Sequence, residues 1–182
     1  MFLATPTQAA PRKGEVPQAT QERRAQVERF LGVIDLPVPL ERWRSLGPAA
    51  VPLLESVLAD GSALPSRRAG AVVGLAAIGG PSARARVLAV AASREELLAV
   101  RVTAIRASPL LTGTRELLLS LRPLMQESQP PGVRAAAAEV LAKAVPEKAC
   151  PTVRGQAERE APESLYLARA LSLCAEALPP GK

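Results

Sequence analysis

The sequence predicts an all-α protein, an α-solenoid of about five stacked antiparallel helical hairpins, on three observations. Particular residue types recur at a fixed interval of 33, apolar positions within each interval follow helical spacing, and the composition favours helix over strand. Hydrophobic residues make up 48% of the 182, yet aromatic residues only 2%. Ala and Leu, both strong helix formers, dominate, while Ile stands only at Ile34, Ile78 and Ile105. An interior of small aliphatic side chains lets helices approach one another closely.

The chain begins with a segment, 1–18, that reads as a flexible leader. Pro6, Pro11, Gly14 and Pro17 punctuate it and no periodicity runs through it. It lacks the charged n-region and full h-region of a signal peptide, and the remnant of an export signal is the alternative reading. A single domain at 19–178 follows. Its first part, 19–46, reads as an N-terminal capping pair of helices, Thr20 to Leu31 and Pro39 to Leu46.

Three central repeats come next, at 47–79, 80–112 and 113–145. Gly47, Gly80 and Gly113 mark them at the interval of 33, and Arg68, Arg101 and Arg134 keep the same interval, each 21 residues after its glycine. Three residues past each arginine stands Ala71, Ala104 or Ala137; seven past it stand Leu75 and Leu141, with Ser108 in the middle unit. In the first unit Pro48 suits the opening turn of a helix, and Val51, Leu54 and Leu58 share one face. Asp60-Gly61-Ser62 stops that helix, Pro65-Ser66 opens the second, and Gly79-Gly80 ends it. The second unit runs from Pro81 to Pro109, and the third from Gly113 to about Ala144, with Pro130-Pro131-Gly132 expected between its helices. A C-terminal capping pair is expected at 146–178, where Ala170 and Cys174 keep the frame of Ala137 and Leu141 but Leu167 replaces the marker arginine.

Two stretches carry a family likeness. Leu46-Gly47-Pro48-Ala49-Ala50-Val51-Pro52-Leu53-Leu54 and Arg68-Ala69-Gly70-Ala71-Val72-Val73-Gly74-Leu75-Ala76-Ala77-Ile78-Gly79 resemble a HEAT repeat in its short bacterial form. The resemblance covers Leu46 to Ala144 and specifies an architecture, not a chemistry. It implies that an acidic residue near the end of the first helix pairs with the arginine opening the second, a role that fits Asp60 and Arg68. The positions one and two intervals beyond Asp60 are Ser93 and Gln126, so the ladder is expected to be incomplete. Arg68, Arg101 and Arg134, with Asp60, are accordingly assigned to bracing between repeats.

Catalysis finds no support in the residues. The chain has no histidine, which removes the usual general base and the commonest metal ligand. Glu95-Glu96 and Glu158 with Glu160 lie among arginines on helical stretches, as a solvated face does. Gly74, Gly79 and Gly80 follow a helix, not a strand, so they are packing and stop signals instead of a phosphate cradle. No cofactor, metal or catalytic residue is predicted. No apolar run approaches the 18 or so residues that cross a bilayer, so no transmembrane segment is expected.

The expected function is a non-catalytic interaction or scaffold module that holds another protein through a helix or extended peptide. The second helices of such a stack form its inner face, which gives a candidate partner-binding surface of Gly70, Thr103 and Ala136 in one column and Val73, Arg106 and Glu139 in another. The formal charge of +6 and pI near 10.1, supplied almost wholly by Arg, permit acidic partners. A weak electrostatic nucleic-acid binder is the first alternative, but these columns lack the repeated Lys or Arg of a specific groove, and the few aromatics fall outside the central repeats. An accessory subunit of a lyase-like or other enzyme complex is the second. Oligomeric state is left open.

Cys150 and Cys174 are the only thiols. With a turn near Ala161-Pro162 they face one another across the last hairpin, and a disulfide between them is expected. Such a bond points to a periplasmic or extracellular setting, the alternative being two small core thiols in the cytoplasm.

Overall fold

The computed structural model describes residues 18–33, 37–159 and 165–178, and the regular structure among them is entirely helical. Ten α-helices occur in these residues: α1 Gln18–Leu31, α2 Leu40–Ser45, α3 Val51–Ala59, α4 Pro65–Ile78, α5 Pro81–Ala92, α6 Leu98–Ala107, α7 Thr114–Leu121, α8 Pro131–Ala144, α9 Pro146–Arg159 and α10 Ala168–Ala177. Tighter 3-10 turns at Pro48–Ala50, Ser108–Leu110, Arg122–Met125 and Leu165–Leu167 join several of them. The expected leader up to residue 17 and the expected turn at Ala161-Pro162 lie outside the described residues; Gln18 already belongs to α1.

Proline sets many of the boundaries. Helices α4, α5, α8 and α9 each begin on one, where the missing N–H has no intrahelical role and the fixed φ is already helical. Pro131 and Gly132, expected between two helices, are therefore the first two residues of α8. In the third unit the first helix is short. It stops at Leu121 and tightens into the turn Arg122–Met125, because Pro123 cannot donate to the α-helical ladder. Between α4 and α5 the chain reverses through Gly79 and Gly80, at φ of 78° and 93°, a left-handed region that a side chain would strain.

Consecutive helices pack as hairpins: α3 on α4, α5 on α6, α7 with its 3-10 turn on α8, and α9 on α10. Helices α4, α6, α8 and α10 also each pack against the next, so the second helices form a continuous layer. Buried side chains run through this layer as a single cluster from Val27 to Cys174. Alanines hold the centre of it: Ala71, Ala104, Ala136, Ala137, Ala138 and Ala170 are fully buried, which is how a chain with few large side chains fills its interior.

Helices α1 and α2 close the N-terminal end differently. Both lean on α4, and they meet one another through the rings of Phe30 and Trp43, edge to face with centroids 5.1 Å apart. Trp43 lies directly over Gly74, where the lack of a side chain leaves room on α4 for the indole. Among the described residues no helix is long and apolar enough to cross a membrane.

Candidate functional site

The marker arginines build a repeated brace. Arg68, in the first turn of α4, folds back so that Nε and Nη2 donate to the carbonyl oxygen of Leu58, at 3.2 and 3.1 Å. That carbonyl lies in the last turn of α3, where no amide of the same helix is available to it. Nη2 also reaches Glu96 Oε2 at 2.7 Å, in the loop of the following hairpin, and both side chains of this ion pair are largely buried.

Arg101 repeats the geometry one hairpin further on. Its Nε donates to the carbonyl of Ala91 at 3.3 Å and its Nη2 to Gln129 Oε1 at 2.8 Å. Ala91 and Gln129 stand 33 residues beyond Leu58 and Glu96. Arg101 is only 2% exposed and its hydrogen-bonding partner is neutral; burial, and then the charge of Arg94, pull its guanidinium below the ordinary value. At the third position Arg134 lies over Tyr166, its guanidinium carbon 4.7 Å from the ring centroid.

Asp60 is placed otherwise than the resemblance implied. Its carboxylate accepts from the Ser62 amide at 2.8 Å and from the Ser62 hydroxyl at 2.6 Å, closing an Asx turn after α3. The Ser62 hydroxyl first, then its amide, hold the Asp60 carboxyl below its usual range, and Arg68 is the last contributor. The carboxylate that Arg68 meets belongs to Glu96. The physical reason is direction: Arg68 must reach past its own hairpin once Leu58 holds the near side of the guanidinium.

The predicted partner-binding columns do not form one open face. Ala136 is fully buried in α8, a helix packed by α6, α7, α9 and α10. Gly70 is half-buried with its Cβ position 3.1 Å from Leu31 Cδ2, and Val73 is half-buried as well. Thr103 turns its hydroxyl back to the Ala99 carbonyl at 2.9 Å, and Arg106 pairs with Glu139 at 3.4 Å. Only Arg106 of the six is exposed.

Cys150 and Cys174 are at disulfide distance, with Cα atoms 5.5 Å apart and both side chains fully buried between α9 and α10. The same hairpin is tied by Arg154, whose Nη2 donates to the carbonyl of Leu178 at 3.0 Å. Gln156, which sequence reasoning did not single out, turns inward from α9 and donates to the Met125 carbonyl. No pattern in the sequence distinguishes it from its polar neighbours.

A row of exposed leucines emerges instead at the leading ends of the second helices. Leu64 is 63% exposed and immediately precedes α4; Leu97 and Leu98, at 45% and 49%, open α6; and Leu165, at 79%, opens the turn into α10. Pro130 and Pro131 occupy the corresponding place at α8. Leu64, Leu97 and Pro130 share one backbone conformation, φ near −56° and ψ near 140°. The signal was present in the sequence, since Leu64 and Leu97 are 33 residues apart, but helical periodicity counts apolar residues as core and does not separate a leucine that precedes a helix.

The rest of the surface offers little chemistry. Among the described residues no group of three or more Cys, Asp or Glu side chains is placed to hold a metal ion. The cleft between α1, α3 and α4, about 420 Å³, is lined by Arg24, Glu28, Asp60 and Arg67, and two of these, Arg67 and Glu28, pair with each other. Comparison with protein-family models, with curated proteins and with solved structures finds no match to this chain.

Proposed function

We propose that this chain is a HEAT-like α-solenoid acting as a non-catalytic protein-interaction module, and that it holds a helix or extended peptide of a partner along the leading ends of its second helices. The row of Leu64, Leu97, Leu98 and Leu165 carries the reading. A large apolar side chain left in water at one such position is ordinary, but four at the leading ends of three of the second helices, α4, α6 and α10, offer apolar surface of the kind a partner covers. The hairpin packing, the interval of 33 and the repeated Arg68 and Arg101 braces support the solenoid assignment.

The absence of histidine from the chain and the pairing of Arg67 with Glu28 in the cleft between α1, α3 and α4 favour binding over catalysis. The buried Cys150 and Cys174 pair favours an oxidising compartment, periplasmic or extracellular. The experiment is affinity capture from the native source with the whole chain and, in parallel, with the Leu97→Ser/Leu98→Ser double variant. A partner retained by the first and lost by the second supports the reading. Equal capture by both, with identical melting curves, refutes it.

A further inference from the structure

A second surface lies away from the leucine row and shares no residue with it. Helices α7 and α9 both pack on α8, and between them is a groove of about 240 Å³. Its apolar lining is Leu118, Met125 and Leu141, the last two almost wholly withdrawn from water. Its rim carries Arg122 and Lys148, both exposed, with Thr152 beside them.

The charges of this rim are one-sided. Arg44, Arg67, Arg68, Arg84, Arg106 and Arg159 each meet a carboxylate, whereas neither Arg122 nor Lys148 has an ion-pair partner among the described residues. No acidic side chain lines the groove. Glu147 adjoins Lys148 in the chain but stands roughly 100° around the helix from it, on a different face of α9. The size also discriminates: pockets for drug-sized molecules and cofactors run from about 300 to 1,000 Å³, so this groove suits one or two side chains.

We propose that the groove is a docking site for an acidic amphipathic segment of a partner protein. One apolar side chain of that segment rests on the half-buried Leu118, above the buried Met125 and Leu141, and carboxylates flanking it pair with Arg122 and Lys148. The net charge of +6 assists the encounter. The proposal does not depend on the leucine row, and its test keeps the two apart.

The probe is a labelled helical peptide of about 14 residues with Leu on one face and Glu on the other. It is titrated against the whole chain beside a matched peptide with Ser for Leu, another with Lys for Glu, and phosphatidylcholine vesicles containing phosphatidylglycerol. The Glu/Leu peptide binds saturably and each control peptide roughly tenfold more weakly or not at all. Arg122→Glu/Lys148→Glu, two exposed positions whose reversal leaves the melting curve in place, weakens the Glu/Leu peptide roughly tenfold, while Leu97→Ser/Leu98→Ser leaves it unchanged. No binding up to about 1 mM, or equal binding by the charge-reversed variant, overturns the proposal. Equal binding of the Ser peptide reduces the site to bare charge, and vesicle binding without peptide binding assigns the rim to lipid headgroups; either result overturns it too. Loss in the leucine variant alone would move the peptide to the leucine row and remove the groove.

Discussion

Gly74→Ala and Gly70→Ala are the same chemical change four residues apart on one helix, and they are expected to have opposite signs. Both gain about 1 kcal/mol of helix propensity, since alanine loses less backbone freedom than glycine. At Gly74 a Cβ would stand 2.8 and 2.9 Å from two ring carbons of Trp43 and 3.0 Å from Leu54 Cδ1. The indole is held by Phe30 and is 2% exposed, and Leu54 is fully buried, so neither yields without moving the end of the stack. Overpacking of this kind costs about 1–3 kcal/mol, and contacts on two sides place it in the upper half of that range. The net effect is a loss of about 1–2 kcal/mol, or roughly 2–8 °C in Tm for a chain of this size. At Gly70 the only near atom is Leu31 Cδ2, at 3.1 Å, the far end of a flexible side chain. There the propensity gain wins, and Gly70→Ala is neutral or stabilising by up to about 1 kcal/mol. Thermal and urea melts followed by far-UV circular dichroism measure both, and Trp43, the single tryptophan, reports the local repacking by its fluorescence. A Gly74→Ala protein as stable as the parent, with unshifted emission, would refute the close packing of α2 on α4.

Other perturbations separate the rungs and the end of the stack. Arg68→Met strands the largely buried Glu96 carboxylate and is expected to cost about 3–5 kcal/mol, whereas Arg101→Met leaves only the Ala91 carbonyl and the Gln129 amide unpaired, at about 1–3 kcal/mol. Urea denaturation of the two variants should preserve that order, and a reversal would count against the pairing with Glu96. Cys174→Ala removes a closure of 24 residues and is expected to lower stability by about 3 kcal/mol, with hydrogen exchange rising first in α9 and α10; two free thiols by titration of protein from its native compartment would rule this out. Asp60 titrates below its ordinary value of 3.8. Because its folded pKa is depressed, its stabilising turn is present at neutral pH and is lost only as pH falls through that lowered value. An NMR titration of the Asp60 carboxyl, repeated in Ser62→Ala, should show the midpoint return toward 3.8.

How much was legible beforehand depended on whether a residue's role is periodic. Helix order, the hairpins from Val51 to Ala144 and the facing of Cys150 and Cys174 follow from spacing alone, because apolar faces and turn residues recur locally. The partner of Arg68 was not legible, since Glu96 lies 28 residues away and belongs to the loop of another hairpin. Ala136 was misplaced for a related reason. Its counterparts Gly70 and Thr103 are only half-buried, and a column read by register cannot show how many neighbouring helices close around each member. The contact of Trp43 with Gly74 joins α2 to α4 across the repeat boundary, and no one-dimensional period contains it.

The three rungs of the arginine brace explain why the repeat signature persists while its chemistry drifts. The part that the Arg68 and Arg101 rungs share is geometric: a guanidinium reaching the carbonyl end of the preceding helix, at Leu58 and again at Ala91. A carbonyl that lacks an amide inside its own helix must be satisfied where the second helix of the same hairpin closes over it, and the arginine supplies that donor. The outward contact has no such constraint. It is a carboxylate at Arg68, an amide at Arg101 and an aromatic ring at Arg134, each contributed by the segment that lies one hairpin further along. At the buried Arg101 the outward partner is neutral, and the charge in the loop before α8 is Glu127, which pairs instead with Arg159 at 3.9 Å. The brace therefore ties each arginine to the following hairpin through a contact whose chemistry differs from Arg68 to Arg101 to Arg134.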